Sequence, residues 1–143
     1  MHLGNDVTWF LPDTDPSTPD GLSKAFRVGA DVCLRGAKEL NSDLADTQIL
    51  TCHAMELALK AFLAKRGLNA AKLRNKPYGH DLDRLYHEAV KHGLSLSPMN
   101  ERVIQAINEY HRKNLIRYEF DKTRTMPVCE GIFPIIETII KAV

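Results

Sequence analysis

The 143 residues are 44% hydrophobic and 26% charged, enough for one domain with a real core and too few for two ordinary ones. With 19 Lys and Arg against 18 Asp and Glu, the formal charge of +1 excludes a polybasic chain that holds polyanions by net charge, so a nucleic-acid site has to come from local clustering. Cys33, Cys52 and Cys129, with no CxxC pair, exclude a disulfide framework and a thiolate zinc centre and read as reduced core residues.

No apolar run approaches the roughly 20 residues of a bilayer span, and residues 1–21 lack the basic start and apolar middle of a signal peptide. The expected location is the cytoplasm, with no membrane partner. Residues 1–20 carry Pro12, Pro16, Pro19 and four aspartates without Lys or Arg, a composition that disfavours regular structure. They read as an irregular arm whose Trp9, Phe10 and Leu11 dock on the domain, and residues 21–143 as that domain.

From Leu22 the apolar residues Ala25, Phe26, Gly29, Val32, Cys33, Gly36, Ala37 and Leu40 recur at steps of three and four, the stripe of a first helix. Gly29 and Gly36 would let a second helix approach closely. After a turn at 41–46, Ile49 to Ala64 is apolar at twelve of sixteen positions, which makes that helix central. Gly67 to Gly79 reads as a long loop. Asp81 caps a third helix with Leu82, Leu85, Tyr86, Ala89 and Val90 inward and Gly93 at its end. Ser97-Pro98 starts a fourth with Val103, Ile104, Ile107 and Tyr110. Leu115 to Phe120 reads as an extended link, and Thr125-Met-Pro127 opens a last helix bearing Ile132, Ile135, Ile136, Ile139 and Val143, kinked or started by Pro134. The expected fold class is all-α, an up-and-down bundle of four to five helices.

Metal chemistry finds no familiar spacing: there is no Glu-x-x-His, His53 and Glu56 stand in the reverse order, and His87 and His92 point to different faces. No cofactor and no metal are expected. Nucleophile elbows and Gly-rich phosphate loops are also absent. Two basic features remain. No acid occurs between Leu57 and His80, while Lys60, Lys65, Arg66, Lys72, Arg74 and Lys76 do, and Tyr110 to Phe120 interleaves His111, Arg112 and Arg117 with Tyr118 as a phosphate-holding, base-stacking surface does. On the central helix His53, Glu56 and Lys60 form one polar line. A carboxylate there needs a partner; Lys60 is one turn away, and Arg117 is a fork-shaped alternative from across the bundle.

Ala54-Met-Glu-Leu-Ala-Leu-Lys-Ala-Phe-Leu-Ala-Lys-Arg-Gly67, followed by Gly79-His-Asp-Leu82 opening a helix, resembles the HEPN domains of prokaryotes over roughly residues 22–142. The resemblance implies a helical bundle that commonly dimerises, in a family of RNA-cleaving toxins, partners of small nucleotidyltransferases and non-catalytic RNA- or nucleotide-binding members. Cleaving members carry Arg-x4-6-His near the start of the last core helix. Here no histidine follows Arg112, Arg117 or Arg124; His111 precedes Arg117, and Arg74 to His80 fits the spacing only in a loop. The expectation is a homodimeric, non-catalytic module for RNA, a nucleotide or a protein partner such as a nucleotidyltransferase, with His53, Glu56, Lys60, His111, Arg112, Arg117 and Tyr118 as ligand-binding candidates. The alternatives are a metal-independent endoribonuclease of toxin or stress type with His111 and Arg117 catalytic, and a purely structural assembly domain.

Overall fold

The computed structural model describes residues 14–40, 45–117 and 129–143, with side chains at 45 and 113–117 outside the description. The described residues form an all-α bundle: α1 (Pro19–Leu40), α2 (Ala45–Lys65), α3 (Ala70–Arg74), α4 (Leu82–Lys91), α5 (Pro98–Arg117) and α6 (Cys129–Ala142). None of these helices is long and apolar enough to cross a membrane.

α2 is the axis of the bundle, packing along α1 and touching α4, α5 and α6. From Thr51 to Ala64 every residue but His53 and Leu57 is buried, as a helix apolar on all sides requires. Gly29 and Gly36 permit the α1–α2 contact: a Cβ on Gly29 would lie 3.1 Å from Leu57 Cδ1, and one on Gly36 3.3 Å from Leu50 Cδ1. Ser23 Oγ donates to the Ala61 carbonyl at 2.8 Å across the same seam. Both glycines are thus used within the chain and supply no argument for an interface between copies.

The helix ends follow the local chemistry. Thr18 Oγ1 accepts from Gly21 N ahead of Pro19, Asp81 accepts from Arg84 N, and Ser97 Oγ accepts from Asn100 N ahead of Pro98, each satisfying an amide the helix leaves open. Gly67 and Gly93, at φ +103° and +102°, end α2 and α4 in the left-handed region where a side chain would be strained.

Several expectations change in detail. α1 starts at Pro19, two residues inside the expected arm, and its buried line is rotated toward Ser23, Ala30 and Leu34, leaving Val32 52% and Leu40 50% exposed. Val90, expected inside α4, is 44% exposed. The 67–79 loop contains the short helix α3, capped by Asn69 accepting from Lys72 N. Leu115 to Arg117 continue α5 rather than forming an extended link. Pro134 lies inside α6 and does not start it. Trp9, Phe10 and Leu11, the 41–44 turn and Tyr118 to Pro127 lie outside the described residues.

Candidate functional site

Glu56 is the one acidic side chain on the buried stretch of α2, and it is 4% exposed. Three basic side chains from three elements converge on it. Lys60, one turn along α2, brings Nζ to 3.2 Å from Oε2. His111 on α5 brings Nε2 to 2.9 Å from Oε1, and His80, in the turn before α4, brings Nδ1 to 2.8 Å from the same oxygen. His53, one turn before Glu56, sets its ring edge-on to His111 with centroids 5.4 Å apart.

The placement of His80 follows from the sequence around it. Gly79, at φ +43°, closes a turn in which its amide and that of Tyr78 both donate to the Asn75 carbonyl. Asp81 then caps α4, and buried Asn108 on α5 ties that cap down: its Oδ1 accepts from Leu82 N at 2.8 Å and its Nδ2 donates to Asp81 Oδ1 at 3.0 Å. Asn108 lies one turn before His111 and Arg112, and the Arg112 guanidinium stands 3.9 Å from the other Asp81 oxygen. A single turn of α5 therefore supplies His111 and also fixes the peptide that carries His80.

Charge and burial oppose each other at the hub. Burial by itself would raise the Glu56 carboxyl, but the hydrogen bonds from His111 and His80 and the Lys60 charge overcome it and hold the group far below the ordinary carboxylate range. The bond to Glu56 raises His80 against a smaller effect of burial, whereas burial lowers His53 against the pull of Glu56. For both imidazoles to donate to Oε1, the proton of His80 sits on Nδ1 and that of His111 on Nε2. The His80 side chain is 61% exposed and that of His111 is 3% exposed. His80 is therefore the member of the hub that faces solvent, with Nε2 as its remaining ring nitrogen.

Among the sequence candidates, His53, Glu56, Lys60 and His111 come together, and Arg112 joins through Asp81. The Arg117 side chain and Tyr118 lie outside the described residues, so the expected Glu56–Arg117 pair does too; the described partners already occupy both carboxylate oxygens. Arg66 leaves the basic set for a structural role, stacking 3.4 Å over the Phe62 ring and donating to the carbonyls of Phe62, His92 and Ala142, where it meets the negative ends of α2, α4 and α6. Lys65 pairs with Asp20 at 2.8 Å. Lys72, Arg74 and Lys76 are exposed and make no ion pair with the described residues. His80 is the site residue left out of the ligand-binding candidates: it lay in a stretch read as a connector, although it stands in the Gly79-His-Asp-Leu82 run that carries the family resemblance and closes the Arg74-to-His80 spacing.

The burial of Cys52 pushes its thiol up, and burial with the nearby Glu56 charge does the same for Cys33, so neither is an activated nucleophile. Comparison with family models, with curated proteins and with solved structures returns no match.

Proposed function

We propose that the chain is a HEPN-like module that binds a phosphate-bearing ligand, RNA or a nucleotide, without cleaving it. One observation carries this reading: a buried carboxylate gathers two histidines and a lysine at a point that opens to solvent through His80, just after α3 and its following turn, which carry the exposed cations Lys72, Arg74 and Lys76. A polar network serving only to hold helices together would close on itself, because every exposed member weakens its electrostatics. Here the outermost ring faces water, and the stretch from α3 to His80 carries cations and no acid, with the next acid, the Asp81 cap, standing 3.9 Å from the Arg112 guanidinium, which suits a phosphate.

The endoribonuclease alternative asks His111 to move a proton at a scissile phosphate. His111 is 3% exposed and its Nε2 is held by Glu56 at 2.9 Å, whereas a general base has to reach within hydrogen-bonding distance of the proton it removes. Binding to a single-stranded RNA oligonucleotide, measured against salt, tests the proposal. Affinity should fall steeply with salt, and replacing Lys72, Arg74 and Lys76 together by Ala should reduce the log–log slope by about 2, at roughly 0.7 per neutralised phosphate. An unchanged slope, or no binding at low salt, contradicts it.

A further inference from the structure

We propose that Glu56, His80 and His111 form a site for a divalent first-row transition-metal ion of the Zn²⁺ type. Each residue offers one ligand atom, and the three atoms lie within 4.8 Å of one another, although the residues come from α2, the turn before α4, and α5. Two imidazole nitrogens and one carboxylate oxygen are the donor set of open zinc and iron(II) centres, in which three protein ligands leave a coordination position for water or a ligand oxygen.

Both histidine-to-carboxylate distances lie close to the spacing an ion imposes, and the two imidazole nitrogens stand within 4.8 Å of each other. Donors bound to zinc at about 2.0–2.2 Å in tetrahedral geometry stand roughly 3.3 Å apart. His111 and His80 are 2.9 and 2.8 Å from Glu56 Oε1, so the ion needs each ligand to withdraw by about half an ångström. Each imidazole offers its lone pair once its proton sits on the other ring nitrogen, a tautomer change open to any neutral histidine. His111 and Glu56 are held on packed helices, and His80, the exposed ligand, is the one with room to adjust.

The surroundings resemble the support that metal ligands receive. Lys60 donates to Oε2 at 3.2 Å, which leaves Oε1, the oxygen shared by both histidines, as the donor and keeps the carboxylate oriented. Asn108 fixes the Asp81–Leu82 peptides beside His80. The open side of the site is the solvent-facing side, so an entry path exists. Mg²⁺ and Ca²⁺ are poor candidates, since both take oxygen ligands. This inference stands on ligand geometry alone and holds whether or not the phosphate reading does.

The test is calorimetric titration of tag-free, RNA-free protein with ZnCl₂, supported by Co²⁺ substitution. The expected result is one saturable Zn²⁺ per chain, visible Co²⁺ bands of a four-coordinate ion, and no Mg²⁺ binding at the same concentration. His80→Ala, at a 61% exposed side chain whose loss leaves the core untouched, should weaken Zn²⁺ by at least the ~10–100-fold that loss of a mere supporting residue costs. His92→Ala, at a ring that faces Glu88 at 3.4 Å, should leave affinity unchanged. Absence of saturable Zn²⁺ binding overturns the proposal, and so does binding that survives both His80→Ala and Glu56→Gln. Zn²⁺ binding without RNA binding would sink the phosphate reading alone.

Discussion

Glu56 concentrates the energetic stakes of this molecule in one side chain. Its pair with Lys60 has the i,i+4 spacing that is worth only about 0.2–0.5 kcal/mol on a helix surface, yet the two side chains are 5% and 9% exposed, so the buried case applies. Glu56→Ala would strand the Lys60 ammonium and the His111 ring in the core and should cost about 3–5 kcal/mol. Thermal or urea unfolding measures this, and an unchanged midpoint would contradict the hub. Glu56→Gln, which keeps the shape and an acceptor oxygen, should cost less.

The pH dependence follows from the direction of each shift. A carboxyl held below its ordinary value of 4.5 contributes stability that is complete above that value and is lost as pH falls through the folded one. His80, raised from 6.5, contributes stability that is complete below 6.5 and is lost as pH rises through its folded value. Besides burial, His111, His80 and Lys60 bear on the carboxylate, and its charge in turn acts on His53, Cys33 and Cys52. In chelator-treated protein, wild type should therefore lose stability below about pH 4.5 more steeply than Glu56→Gln. Its advantage over His80→Ala should shrink as the solution becomes alkaline. Parallel curves for wild type and Glu56→Gln would show that the carboxylate is not held ionised by its partners.

At the scale of elements, α4 and α5 meet through Asn108 rather than through apolar contact alone. Asn108→Ala leaves the buried Leu82 amide without its acceptor, a loss of about 1–3 kcal/mol, and frees the Asp81 cap. Beyond the drop in melting temperature, amide exchange should quicken at Leu82 and through the first turn of α4 while α2 stays protected. Uniform quickening across all helices would mean that Asn108 supports the whole fold and has no special part in placing His80.

Elements also show what the sequence made legible. The composition of Ile49 to Ala64 is enough to place α2 at the centre, and Asp81, Ser97-Pro98 and Gly93 mark helix ends because capping is local chemistry. The rotation of α1 was not legible, because Gly29 and Gly36 count with the apolar stripe while the residues that turn inward, Ser23, Ala30 and Leu34, are chosen by the shape of α2. The site divided in the same way. His53, Glu56 and Lys60 share one helix and their adjacency follows from its period, and His111 was marked by its aromatic and basic neighbours. His80 lies 24 residues from Glu56, and only the packing of α4 against α2 and α5 brings the two together. Metal ligation was set aside for the same reason, since spacing along one helix cannot reveal donors from three elements.

For the molecule as a whole, α2 both carries the core and supplies the hub of the candidate site, so Glu56 is held on the bundle axis while His80 reaches it from the exposed turn before α4. The site's open side lies beside α3 and the turn after it, a stretch that projects Lys72, Arg74 and Lys76. That combination favours holding a phosphate group over proton transfer at one, because the histidine best positioned by packing, His111, is the one packing has also closed off. The most direct measurement is incubation of end-labelled, mixed-sequence RNA with purified protein in low salt and chelator, resolved in parallel on native and denaturing gels. The account predicts RNA retarded on the native gel and full-length on the denaturing gel. Fragments that disappear with His111→Ala would contradict it, as would RNA that is neither retarded nor cut.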